Sequence, residues 1–314
     1  MIFLNLILFL ISLLALTKSA DYSTTYSHKL TKIFRLPEFI VSFFIVAIIS
    51  TLPEGTISII SALKGTPHFG LGTLLGSNVA DLTLVFGIVS LFSHTGIQIK
   101  STVIRRNLPY LLLLVFPVIL GFDGKFSRVD GILLVLLGLF FFFTLLMQSK
   151  IFRKHGEVPN DKHIFKNLTL LLLSLVFLLV SAYYTIDFGT KFANEIGLPV
   201  VLVSMAFVSI GTCLPEMIFS IKAIKTNHDG LAMGDIFGTV IANVTIYLGI
   251  MCLISPFQFN PTLIYITGTA MALASIIVIV FFRTEKVLTK KEGIFLIFFY
   301  IIYLIAEFIG NKVF

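Results

Sequence analysis

The chain has 314 residues, of which 57% are hydrophobic and 12% charged, and its mean hydropathy is +1.02. Soluble domains carry about 25% charged residues, so a soluble enzyme is excluded and a polytopic protein of the lipid bilayer is indicated. The net charge of +7 does not point to nucleic acid, because the Lys and Arg residues lie in short loops between apolar runs.

Apolar stretches of roughly 17–25 residues mark membrane spans. Ten are read here: Ile2–Leu16, Phe39–Leu63, Phe69–Phe92, Leu108–Phe122, Gly131–Met147, Leu168–Tyr184, Val200–Ile224, Leu231–Ile254, Leu263–Phe282 and Gly293–Phe308. The first has no Lys or Arg before its apolar run, which counts against a cleaved signal peptide. The run Phe140–Phe143 reads as lipid-facing bulk. Glu307, near the end of the last span, reads as interfacial. Alternate loops hold 18 of the 23 Lys and Arg residues and the opposite side holds 5. The positive-inside rule then places both termini outside and the loop Gln148–Lys166 in the cytoplasm. Cys213 and Cys252 fall inside apolar segments, so no disulfide framework is implied. A nucleotide phosphate-binding loop is lacking, which argues against ATP-driven transport by this chain alone.

The second span holds Ser50-Thr51-Leu52-Pro53-Glu54. A carboxylate at bilayer depth is costly unless compensated, and marks a functional site. Pro53 has no N–H to donate and should break the helix, freeing carbonyls around Ala47 to Ser50. Hydroxyls, loose carbonyls and a carboxylate together make a hard-oxygen site suited to Na⁺ or Ca²⁺. The stretch recurs as Thr212-Cys213-Leu214-Pro215-Glu216. At an offset of 162 residues, Leu36–Gly87 aligns on Leu198–Gly249 with 16 identities in 52 positions and no gap. Five spans per half is an odd number, so the second half inserts upside down. Inverted repeats with matched broken helices are a signature of secondary transporters working by alternating access, and argue against a channel. The expected fold is an all-α membrane protein of ten transmembrane helices in two inverted five-helix repeats, with broken helices at a midplane site. Its first repeat is 1–148, its cytoplasmic linker 149–166 and its second repeat 167–314.

Downstream of Glu54 come Ser77 and Asp81, and at the same distances from Glu216 come Thr239 and Asn243. A four-residue step puts each pair on one helix face. Thr73 and Asp235 lie one turn earlier on the same stripes. Gly72 and Gly76, and likewise Gly234 and Gly238, permit close helix approach, so the stripes can meet. Thr73 and Thr83 read more plainly as helix-packing hydrogen bonders. Asp235, near the end of its span, reads more plainly as a solvated helix-start residue. Asn243-Val244-Thr245 matches a glycosylation sequon, but at mid-membrane the match is noise. The cage of carboxyls, amide, hydroxyls and carbonyls has no histidine and no clustered thiols, so zinc, copper and iron fit poorly. Flexible oxygen donors suit Ca²⁺ better than Mg²⁺. Several carboxylates cannot all stay charged in an empty dry site. When the primary cation leaves, counter-cations or protons must replace it, which is the requirement for exchange.

These residues resemble the calcium/cation antiporter superfamily, most closely its sodium/calcium exchanger branch. That family carries two alpha-repeats with a G-T-S-x-P-E motif and then a G-S-N-x-x-[ND] motif. The matching stretches are Ile49–Glu54 with Gly76–Asp81, and Gly211–Glu216 with Gly238–Asn243. The resemblance covers nearly the whole chain. It implies a transporter, not an enzyme, with no resident cofactor, acting as a monomer in the cell membrane. It implies a core of the second, third, seventh and eighth spans, with the first and sixth sliding across it as a gate. It implies Glu54 and Glu216 as central Ca²⁺ ligands shared with Na⁺. Ser50, Thr51, Ser77, Thr212 and Thr239, with carbonyls near Ala47 and Ser209, would complete the ion sites. Asp81 and Asn243 stand swapped relative to the family pattern, Cys213 replaces a serine and Ile49 a glycine. The expected function is Ca²⁺/Na⁺ antiport. The alternative these departures raise is Ca²⁺/H⁺ antiport.

Overall fold

Leu52-Pro53 and Leu214-Pro215 each open a helix, because proline is tolerated in the first turn, where its missing N–H is not needed. In the computed structural model the described residues are 2–31, 50–93, 95–98, 108–151, 164–284 and 287–310. The predicted first part of the second span, with Ala47 and Ile49, lies outside them, as does most of the 149–166 linker.

The described chain is helical apart from four two-residue strands. The helices are α1 (Ile2–Thr31), α2 (Leu52–Leu63), α3 (Pro67–Phe92), α4 (Tyr110–Asp123), α5 (Arg128–Ile151), α6 (Ile164–Ile196), α7 (Val200–Lys225), α8 (Asp229–Ile254), α9 (Pro261–Arg283) and α10 (Lys290–Gly310). Eight are long and apolar enough to cross a membrane; α2 and α4 are shorter apolar helices. α1 and α6 outrun the apolar stretches read from the sequence, because a helix that has begun inside the bilayer continues through the polar residues beyond it. A 3₁₀ segment over Leu108–Leu114 leads into and opens α4, an α-helical turn follows at Val115–Leu120, and Pro117 sits within that turn.

α3 and α8 lie at the centre: 83% and 78% of their most apolar windows are buried, against 28% for α1 and α10. The outer helices present apolar rows, such as Phe298, Ile302, Ile305 and Ile309 on α10, suited to lipid. Phe140 and Phe143 are exposed as expected, but Phe141 and Phe142 are buried. Successive helical residues turn by about 100°, so a run of four cannot share one face. α1 packs along α6, and the pair lies against α2 and α7.

Element boundaries recur at the offset of 162 seen in the sequence. α2 matches the second part of α7 (Leu214–Lys225). Pro67–Ala80 matches Asp229–Ala242, and a π turn follows each, at Asp81–Val85 and Asn243–Tyr247. The entries to α5 and α10 carry the same reciprocal cap. Ser127 N–H donates to Asp130 (2.7 Å) and Asp130 N–H to Ser127 Oγ (3.3 Å); Thr289 and Glu292 repeat this at 2.7 and 3.3 Å. Two helix crossings are matched as well. A Cβ on Gly87 of α3 would stand 2.7 Å from the Gly293 carbonyl of α10, and one on Gly131 of α5 would stand 2.8 Å from that of Gly249 on α8. Strand β1 (Ile97–Gln98) pairs antiparallel with β4 (Val287–Leu288), and β2 (Lys125–Phe126) with β3 (Phe257–Gln258). The α3–α4 and α9–α10 loops therefore share one side of the bundle. The α4–α5 and α8–α9 loops likewise share a side.

Candidate cation-binding site

α7 is built to bend. A π turn at Ser204–Val208 widens it, and the helix breaks at Cys213, one residue before Leu214-Pro215. Pro215 cannot donate to the Gly211 carbonyl. That carbonyl accepts instead from Thr17 Oγ1 of α1, at 3.1 Å. The Ser209 carbonyl accepts from Cys213 N–H and from Thr212 Oγ1, both at 3.1 Å, so its two lone pairs are in use in this conformation. The Ser209 carbonyl, which the resemblance implies as an ion ligand, is thus occupied within α7 in this conformation.

Every candidate side chain that can be placed is buried: Ser50, Thr51, Glu54, Ser77, Asp81, Ser209, Thr212, Glu216, Thr239 and Asn243. They come from α2 and the two residues before it, α3, α7 and α8. Ser50 Oγ donates to Asp235 Oδ1 at 2.6 Å and lies 3.4 Å from Thr239 Oγ1, joining α2's start to the α8 stripe. Asn243 Nδ2 donates to Ser77 Oγ (3.2 Å) and to Asn78 Oδ1 (3.0 Å). Asn78 Nδ2 in turn donates to the Val240 carbonyl (2.9 Å), so α3 and α8 are stitched together beside the site. Gly72 and Gly76, expected to bring the α3 and α8 stripes together, instead face α7: a Cβ on either would stand within 2.5 Å of a serine hydroxyl there, Ser204 or Ser209.

Asp235 is fully buried with Ser50 on one oxygen, and is not a solvated helix-start residue. The polar stripe 235, 239, 243 already contained the signal, since each step is one turn. Tyr247 extends that stripe by another turn, and Thr51 Oγ1 donates to its hydroxyl at 3.4 Å. Sequence reasoning passed over both Tyr247 and Asn78. Glu307 is also corrected: it is 1% exposed and accepts from Thr267 Oγ1 at 2.9 Å, because its face of α10 turns onto α9. Thr73, Thr83 and Thr245 donate to carbonyls of their own helices, so their hydroxyl hydrogens are spent within one helix and not across a helix contact.

Both carboxyl oxygens of Glu54, Asp81 and Glu216 are buried with no hydrogen-bond partner, as are Asp235 Oδ2 and Asn243 Oδ1. Thr212 and Cys213 stand beside Glu54 and Asp81, but aim their hydrogens at the Ser209 and Ser77 carbonyls. Glu54 lies within electrostatic reach of Asp81, Glu216 and Asp235. Among the described residues no three His, Cys, Asp or Glu side chains converge as a ready-made metal cluster. The hydroxyls of Ser50, Ser77, Thr212 and Thr239 and the Asn243 amide oxygen are buried on, or just before, the same elements as the carboxyls. Buried carboxylates without donors are strongly unfavourable unless positive charge compensates them. This donor set is all hard oxygen, which suits Na⁺ and Ca²⁺ and not softer metals.

The sequence model of the family described as "Sodium/calcium exchanger protein" matches residues 4–147 and again 166–309. The chain belongs to this family. It is a membrane-embedded cation antiporter of the calcium/cation antiporter superfamily, in its sodium/calcium exchanger branch. Inner membrane protein YrbG of Escherichia coli (strain K12) is 29% identical over 283 residues, covering 86% of each chain. The sodium/calcium exchanger MaX1 of Methanosarcina acetivorans is 24% identical over 353 residues, covering 98% of this chain and 99% of its own. The putative antiporter CaxA of Alkalimonas amylolytica is 29% identical over 261 residues, covering 79% and 80%. The solved structure of the sodium-calcium exchanger NCX_Mj soaked with Na⁺ and Sr²⁺ superposes with a TM-score of 0.71 at 24% identity. It covers 97% of this chain and 99% of that one. The exchanger fold is therefore the frame in which the buried carboxyls are set.

Proposed function

We propose that this exchanger moves Ca²⁺ in exchange for Na⁺ across the cell membrane by alternating access. The observation that carries the reading is the set Glu54, Asp81, Glu216 and Asp235, buried on α2, α3, α7 and α8 with seven carboxyl oxygens unpartnered. Glu54 and Glu216 are the central ligands, and Ser50, Thr51, Ser77, Asp81, Thr212, Thr239, Asn243 and the Ala47 carbonyl complete the ion sites, joined by the Ser209 carbonyl once the Thr212 hydroxyl releases it. The fold is two inverted five-helix repeats, 1–148 and 167–314, around the linker 149–166, with both termini outside. The recurrence of caps, π turns and glycine crossings at one offset supports this. α1 and α6 form the gate, and their packing along each other against α2 and α7 is consistent with it. The protein acts as a monomer. Ca²⁺ and Na⁺ are its cargo, and no resident cofactor is needed.

A second reading, Ca²⁺/H⁺ antiport, is favoured by Cys213. Its sulfur lies 3.7 Å from the Ser77 carbonyl, where the family pattern has a serine hydroxyl, and sulfur serves a hard cation poorly. Proteoliposomes separate the two. An outward Na⁺ gradient at fixed pH should drive Ca²⁺ uptake. Uptake that ignores Na⁺ and follows only a pH gradient would overturn the sodium assignment.

A further inference from the structure

Tyr300 of α10 is 3% exposed, and its hydroxyl has no hydrogen-bond partner. A buried tyrosine ordinarily finds a partner for its O–H, so this phenol is spare polar capacity inside the membrane domain. Its surroundings are specific. α10 packs on the π turn of α3 that begins with Asp81. The phenol lies within electrostatic reach of the Asp81 carboxyl and the Cys213 thiol. Both Asp81 oxygens are unpartnered. The Cys213 thiol, the soft atom in an otherwise oxygen-lined site, turns toward Ser77.

The rest of this α10 face is anchored. Tyr303 O–H donates to Met205 Sδ at 3.8 Å, and Glu307 accepts from Thr267. The rings of Tyr300 and Tyr303 lie 5.9 Å apart. At the 162 offset the counterpart of Tyr300 is Gly138, which lies against Thr245 and Ile246 and offers no side-chain oxygen. The phenol therefore belongs to one half only, the half that carries the cysteine.

We propose that Tyr300 is an ion-binding residue of this exchanger, its phenol oxygen supplying the hard donor that Cys213 does not. This rests on the exchange reading above. A phenol adds an oxygen without adding charge, so it completes the coordination of a cation held by Asp81 while leaving the site's formal charge unchanged. The site accordingly reaches a helix outside the four that carry the paired motifs.

The test uses purified full-length protein, titrated separately with Ca²⁺ and Na⁺ and read by the shift in thermal unfolding midpoint. Tyr300→Phe removes only the oxygen and should raise the half-saturating concentration of at least one ion by about fivefold, the effect of losing one neutral polar interaction. The double variant Tyr300→Phe/Cys213→Ser returns a hydroxyl to the same corner and should restore most of the loss. Wild-type titrations for both ions in a folded Tyr300→Phe protein would overturn the proposal, as would a double variant no better than the single. A wild-type protein that responds to neither ion would instead refute the exchange reading on which the proposal stands.

Discussion

Thr17 offers a direct test of how the outer helix pair is coupled to the broken core helix. Its hydroxyl reaches both the Leu13 carbonyl of its own helix (2.9 Å) and the Gly211 carbonyl left free by Pro215 (3.1 Å). Thr17→Val keeps the branched shape and removes the donor. The lost bond is shared and longer than the usual O–H···O distance, so its worth is at the low end, about 1 kcal/mol. The unmet carbonyl is at a helix break in the bundle interior, where the penalty runs to about 3 kcal/mol if water does not reach it. The conformation in which α1 rests on Gly211 should then lose between about fivefold and a hundredfold in population relative to any in which α1 has moved away. Hydrogen exchange should report this as faster exchange at Cys213 and Met217, whose amides bond across the break. The initial Ca²⁺ uptake rate should change with it. Unchanged exchange at those amides together with unchanged uptake would refute the coupling.

Further expectations follow from the site. Glu54→Gln and Glu216→Gln should each abolish Ca²⁺ uptake while leaving a normal thermal melt; near-normal flux in either variant removes that residue from the site. Asp81→Asn combined with Asn243→Asp keeps the summed charge and should retain measurable uptake, whereas complete loss would show that each position matters by itself. Gly87→Ala and Gly131→Ala force a Cβ to within 3 Å of a backbone carbonyl and should each destabilise the protein by roughly 1–3 kcal/mol. Denaturation in detergent that matches wild type would show that these crossings are loose.

Much of this architecture is legible in the sequence because lipid permits few solutions. Apolar length marks the helices, and a carboxylate beside a proline inside such a run has few structural uses. The offset of 162 that aligned Leu36–Gly87 with Leu198–Gly249 also indexes the caps and π turns. What the sequence hid depends on rotation and on partners distant in the chain. Asp235 looked solvated because its place near a helix end was read without its neighbour Ser50, which stands 185 residues away. Glu307 looked interfacial because depth along a helix was judged without the direction its side chain faces. The capture of the Gly211 carbonyl by Thr17 could not be seen without the packing of α1 on α7. Tyr300 has no spacing signal at all, since its helix carries no copy of the paired motifs.

The matched glycine crossings have a consequence for how the molecule is made. Gly87 on α3 closes against Gly293 on α10, and Gly131 on α5 against Gly249 on α8. Each half thus completes its core only with helices from the other. Some 206 residues separate Gly87 from Gly293, which at ordinary synthesis rates of about 5–20 residues per second is roughly 10–40 s. Throughout that interval the π turn at Asp81–Val85 waits in the bilayer for the helix that packs on it. The nascent chain must shelter a polar helix while it waits, so the step most exposed to quality control is the arrival of α10.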